Sequence, residues 1–119
     1  MKKFISWVEI PTQDFQRAVK FYNHVLNTKL EIVEDDLEKM ACFPGGEGAI
    51  IFADGFKPSK QGVVVSLNAG TQLDETIHRI SATGGKILKQ KTKIEAEGMG
   101  YFALFEDSEG NRLGLYGEK

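Results

Sequence analysis

A short strand that runs through a capped turn into an amphipathic helix occurs twice in this chain, about sixty residues apart, and this repetition limits the possible folds most. The first copy is the stretch Ser6 to Tyr22, SWVEIPTQDFQRAVKFY. Its first half alternates as a strand does, Pro11-Thr12 stop it, and its second half has helical spacing with an aromatic pair, Phe21-Tyr22. A strand feeding directly into a helix is the opening of a βα unit. The second copy starts at Val63.

Taken in order, Phe4 to Ile10 reads as a strand with Phe4, Ser6, Val8 and Ile10 on one face and Ile5, Trp7 and Glu9 on the other. Thr12 is the expected N-cap, with Asp14 in the first turn, where a negative charge suits the helix dipole. Phe15, Ala18, Tyr22, Val25 and Leu26 form the apolar stripe, Arg17, Lys20 and His24 the polar one, and Asn27 ends the helix. Strands are expected at Lys29 to Val33, Lys39 to Phe43 and Ala49 to Ala53, separated by the turns Glu34-Asp35-Asp36 and Pro44 to Gly48. Asp54 to Gln61 is linker-like. Val63 to Asn68 is the next strand, Thr71 with Asp74 resembles a capping box, and Leu73, Ile77 and Ile80 mark the second helix, closed by Gly84-Gly85. Lys86 to Lys93, Gly100 to Glu106 and Arg112 to Tyr116 complete a second βαβββ unit. The expected helix caps, Thr12 and Thr71, are 59 residues apart, and the Glu-Gly pairs at 47-48 and 109-110 are 62 apart. The reading is therefore α+β: one domain over residues 1–119, with a first module at about 1–55 and a second at about 62–119.

At 119 residues the chain has room for one core. A net charge of -2 with no Lys/Arg stripe gives no attraction to nucleic acid. The single cysteine, Cys42, rules out an intrachain disulfide and a Cys-rich zinc site. MKKF lacks an apolar segment behind its lysines, and no run approaches the ~20 apolar residues that span a membrane, so a cytoplasmic protein without membrane partners is expected.

Two tandem βαβββ units resemble the vicinal oxygen chelate superfamily, the group of glyoxalases, bleomycin-resistance proteins and extradiol dioxygenases. The most specific residues are Trp7-Val8-Glu9-Ile10-Pro11 leading to Arg17-Ala18 and Phe21-Tyr22, and Gly100-Tyr101-Phe102-Ala103 leading to Asp107-Ser108-Glu109-Gly110-Asn111. The resemblance implies largely antiparallel sheets curled into an open cup whose inner face binds a ligand. Metal-using members place His and Glu ligands there. Carried over one by one, those positions fall on Trp7, near Phe52, within Val63-Val64-Val65, and on Gly114. None offers a donor where a cation needs about three, so no metal and no cofactor are expected. His24 and His78 lie on polar helix faces and read as solvated, and Cys42 reads as a small buried hydrophobe or, alternatively, a reactive thiol.

Glu9 is the candidate for chemistry, sharing its strand face with Trp7. It is either a structural ion-pair member or part of a wet cavity rim, or else a ligand-contacting carboxylate or general base; Arg112 is its natural partner or, alternatively, a surface residue at a strand start. The expected ligand-binding set is Trp7, Glu9, Phe52, Phe102, Arg112, Gly114 and Tyr116, an aromatic pocket with a few polar groups in which Gly114 leaves room. Three functions are compatible with it. The first is a metal-free small-molecule-binding protein, comparable to the antibiotic-sequestering members. The second is a lyase or isomerase acting on a small oxygenated metabolite with Glu9 as base, and the third is an interaction module whose cup is self-filled. A two-fold homodimer is expected, because sheet edges this short are liabilities when exposed.

Overall fold

The two expected units close two separate sheets. The computed structural model describes residues 4–119. The first half comprises β1 (Val8–Pro11), α1 (Phe15–Val25), β2 (Glu31–Glu34), β3 (Lys39–Cys42) and β4 (Gly48–Phe52). The second comprises β5 (Ser66–Gly70), α2 (Leu73–Ala82), β6 (Lys86–Lys93), β7 (Tyr101–Glu106) and β8 (Arg112–Gly117). Strand orders are β1-β4-β3-β2 and β5-β8-β7-β6. In each half the strand before the helix pairs in parallel with the last strand, as a helical crossover allows, and the other pairs are antiparallel. The fold is α+β with two repeated βαβββ modules in two four-stranded mixed sheets, and no barrel closes.

Local details differ from the sequence reading for identifiable reasons. β1 starts at Val8 rather than Phe4, because β4 begins opposite it, at Gly48. Pro11 can end β1, since an edge strand needs no N–H on its free side. The N-cap of α1 is Asp14, whose carboxylate accepts the Arg17 N–H at 3.1 Å. Thr12 instead donates its hydroxyl to the Ile51 carbonyl at 3.0 Å, tying the helix entry to β4. The expected Thr71–Asp74 box does not form, and α2 begins after Gln72 without a side-chain cap.

Alternation along each strand gives both sheets an inner face toward the helices and an outer face without one. Phe15, Ala18, Phe21, Tyr22 and Val25 of α1 pack with Ile10, Ala41 and Ile50 and also with Leu73, Ile80, Phe105, Leu113 and Leu115 from the second half. One core therefore joins the halves. Phe21 sits edge-on to Tyr22 at 5.0 Å and stacks on Phe105 at 6.5 Å. Burying one such ring contributes about 1.5–3 kcal/mol.

The turn Asp107 to Asn111 reinforces that joint. Asp107 accepts the Tyr22 hydroxyl at 2.6 Å and the N–H groups of Glu109 and Asn111 at 2.9 Å each. Burial and the neighbouring Asp107 carboxylate push the Tyr22 phenol well above its ordinary pKa. Glu109 reaches across to α1, where it accepts the N–H groups of Gln13 at 2.8 Å and Asp14 at 2.6 Å and the Arg17 Nε–H at 2.8 Å. The Asn111 amide donates to the Pro11 carbonyl at 2.7 Å.

Candidate functional site

The helices leave the outer faces of both sheets open, and most of the residues singled out by sequence divide between them. On the first sheet Trp7 and Glu9 share a face: the indole Nε1–H donates to Glu9 Oε2 at 3.2 Å. Trp7 is 41% exposed. Parallel register places Glu9 beside Ala49, and Ala49 lies beside Cys42, which in turn lies beside Glu31, so these residues form one row across the sheet. Cys42 is half-buried rather than buried.

Phe52 does not join them. It is two residues beyond Ile50, whose side chain is in the core, so it projects on the inner side at the end of β4. There it lies 6.0 Å below the Lys39 ammonium.

The second sheet gathers the remaining residues. In the β7–β8 ladder Phe102 lies opposite Tyr116, Leu104 opposite Gly114 and Glu106 opposite Arg112. All six share the outer face, because Ala103, Phe105, Leu113 and Leu115, between them, are in the core. Ser66 and Asn68 of β5 extend that face next to Gly114 and Tyr116. The room expected at Gly114 is occupied: a Cβ there would lie 2.5 Å from Ser66 Oγ and 3.5 Å from Val64 Cγ1.

The expected pairing of Glu9 with Arg112 is absent. Glu9 turns to its own strand neighbour Trp7, while Arg112 Nη2 donates to the Gly62 carbonyl at 3.2 Å. The two residues belong to different sheets, and among the described residues no strand pairing links those sheets. Glu106, opposite Arg112, is held by Lys60 at 3.2 Å.

The donor set does not fit a metal. Among the described residues no three His, Cys, Asp or Glu side chains gather, and His24 and His78 are exposed on their helices. Two open clefts are present, one of about 1180 Å³ along the polar side of α1 and one of about 1100 Å³ between the starts of β1 and β5. Neither is lined by Trp7, Glu9, Phe102, Arg112 or Tyr116, and of the outer-face residues named above only Ser66 and Asn68 border the second cleft. Among the described residues no helix is long and apolar enough to cross a membrane.

Sequence reasoning missed the joint made by Asp107, Glu109, Asn111, Arg17 and Tyr22. The motif Asp-Ser-Glu-Gly-Asn was visible, but nothing local marks its partners, which lie 85 to 100 residues away.

Known proteins share this architecture. A glyoxalase/bleomycin resistance protein/dioxygenase family enzyme from Burkholderia phytofirmans PsJN superposes with a TM-score of 0.73 at 17% identity, covering 96% of this chain and 98% of that one. The fosfomycin resistance protein FosX from Listeria monocytogenes gives 0.72 at 19% identity, covering 98% and 94%. A glyoxalase I variant from Zea mays gives 0.67 at 20% identity, covering 94% of this chain and 45% of that longer one. No curated protein matches the sequence. At these identities the superpositions establish the fold alone. The sequence model of one family, however, matches residues 4–115, nearly the whole chain. This chain belongs to the Glyoxalase/Bleomycin resistance protein/Dioxygenase superfamily.

Proposed function

We propose that this protein binds a small organic molecule without a metal, using the outer faces of its sheets. The observation that carries the reading is the set of aromatic and polar side chains on faces that the core does not use. Trp7 with Glu9 stands on one face, and Phe102, Arg112 and Tyr116 stand on the other. Aromatic walls with a few polar groups are the usual make-up of a small-molecule site. A second copy of the chain packed against these faces would turn open surfaces into an enclosed cup. The FosX and glyoxalase I neighbours, by name a resistance protein and an enzyme, are compatible with such a role. The alternative is an enzyme in which Glu9 takes a proton from a bound metabolite. Its support is that the hydrogen bond from Trp7 engages only Oε2, leaving Oε1 open on the face.

The test is native mass spectrometry of the gently purified protein, followed by titration of any retained molecule against tryptophan fluorescence. A stoichiometric adduct that perturbs Trp7 supports the reading. A clean apo mass, together with no fluorescence response across a panel of small aromatic and aliphatic compounds, overturns it. Conversion of the retained compound that is lost in Glu9→Gln would select the enzyme.

A further inference from the structure

We propose that the outer face of the second sheet takes a small carboxylate, its charged end on Arg112 and its apolar body over Leu104, Phe102 and Tyr116. This rests on the small-molecule reading and names the chemical class of the ligand at that half of the site.

Among the described residues no carboxylate forms an ion pair with Arg112. A guanidinium has five N–H donors, and among the described residues it finds a single acceptor, the main-chain carbonyl of Gly62 at 3.2 Å. Its Nε is buried with no partner. A buried donor left unpaired is costly, so the guanidinium is under-satisfied and an acceptor at its remaining N–H groups would be favourable. The obvious internal acceptor is Glu106, directly across the β7–β8 ladder, but Lys60 holds it at 3.2 Å. Lys60 and Gly62 both come from the segment joining the two halves. That segment is pinned in place by two bonds, Arg112 N–H to the Ser59 carbonyl at 3.2 Å and Ser59 N–H to Asn111 Oδ1 at 3.1 Å. The connecting segment thus claims the acid and leaves the base.

The surroundings favour a negative ligand. Lys86 lies opposite Glu106 and Lys89 opposite Leu104, which brings two more cations to the β6 side of this face. Against these three cations stands one carboxylate, already paired. The first sheet's outer row is the reverse, with Glu9 and Glu31. Next to Arg112, the Ser66 hydroxyl leans over Gly114 and supplies a neutral donor. A planar carboxylate matches the guanidinium fork and can take two parallel hydrogen bonds. Leu104, Phe102 and Tyr116 run away from Arg112 along the ladder, so an acid with an aromatic or aliphatic body is accommodated.

The full-length protein is titrated calorimetrically with benzoate, with its uncharged analogue benzyl alcohol and with phenylphosphonate, and the Arg112 Nε–H resonance is followed by NMR. The expected result is that benzoate binds at least about tenfold tighter than benzyl alcohol and shifts the Arg112 signal. In Arg112→Gln the preference for benzoate should vanish, and in Arg112→Lys part of it should remain. The comparison of benzoate with benzyl alcohol on the unaltered protein needs no variant, so it stands even if Arg112→Gln folds poorly. Equal affinity for the two overturns the carboxylate inference while leaving the small-molecule reading intact. Tighter binding of phenylphosphonate than of benzoate also overturns it, in favour of a dianion. If none of the three binds, the inference falls, and the fate of the broader reading is decided separately by the retained-ligand measurement.

Discussion

The carboxylate of Glu109, with no part of its side chain accessible, receives the N–H groups of Gln13 and Asp14 and the guanidinium of Arg17. Burial works against its charge, but the Arg17 contact, the two backbone donors and the Ser108 hydroxyl outweigh it. The carboxyl is therefore held below its ordinary value of 4.5. A carboxylate whose pKa is depressed by folding stabilises fully above its unfolded value and stops doing so as pH falls through the folded value. Glu109→Gln should accordingly cost about 1.5–3 kcal/mol near neutral pH, and the gap to the wild type should close in acid. Thermal melts between about pH 7 and pH 3 check this, and a gap that stays constant over that range would show the charge to be irrelevant. Arg17→Ala should cost less than about 1 kcal/mol, because Arg17 is 51% exposed and Glu109 keeps both backbone donors. Trp7 differs in kind. An indole enclosed in a core would cost roughly 3–5 kcal/mol on truncation, but this one is 41% exposed and anchored by Glu9. Trp7→Ala should cost about 1 kcal/mol of stability, whereas ligand affinity should fall more. Trp7→Phe should keep the fold and weaken binding by about 0.5–1.5 kcal/mol. Because no three His, Cys, Asp or Glu side chains gather among the described residues, Zn, Ni and Mn should not raise the melting temperature. A chelator-reversible shift of several degrees, the size expected from a linkage of ~2.7 kcal/mol at a hundredfold excess, would refute that.

At the scale of elements, β1 is held to its sheet by one neighbour, and the closeness of that contact depends on Gly48. A Cβ there would press into the Val8 carbonyl. Gly48→Ala should lever β1 away from β4, costing about 1–3 kcal/mol and disturbing the Trp7–Glu9 pair carried by the same strand. A melt combined with tryptophan fluorescence reads both effects, and an unchanged emission spectrum would mean that β1 tolerates the shift. The elements also show what sequence could and could not reveal. Strong periodicity made α1 and α2 legible, and β6 falls exactly where its residues predict, from Lys86 to Lys93. Alternation puts Arg112, Gly114 and Tyr116 on one face of β8, and the structure has them there. In β7 and β4 alternation leaves the facing open. Tyr101 to Phe105 and Ala49 to Phe52 are apolar throughout, so no polar residue fixes their parity; the family resemblance puts Phe52 in the cup, and the structure turns it to the inner side. The Glu9–Arg112 pair failed for another reason: facing can be read within a strand, but the distance between two sheets cannot.

The molecule measures 48 × 38 × 27 Å, a flattened body with its core between the helices and the sheets and the outer sheet faces uncovered. Large apolar side chains stand exposed on those faces, among them Val33 at 49% and Trp7 at 41% on the first sheet and Val64 at 41% beside the second. Isolated exposed apolar residues are normal, but several on faces that also hold the candidate ligand residues would suit the two-fold homodimer we propose. Both sheets, moreover, end in unpaired edge strands, β1 and β2 in one and β5 and β6 in the other. A two-fold dimer would bury the same patch on each copy and so double the apolar area removed from water by one set of contacts. Light scattering should give twice the 13.2 kDa chain mass over a wide concentration range. Val33→Lys combined with Val64→Lys should shift the protein toward the monomer while leaving the melt of the chain cooperative, because both residues lie outside the core. An unaltered protein with a concentration-independent mass of 13.2 kDa would defeat the dimer. The ligand faces would then have to work as open sheet surfaces, where a bound molecule keeps one side in water and affinity is correspondingly low.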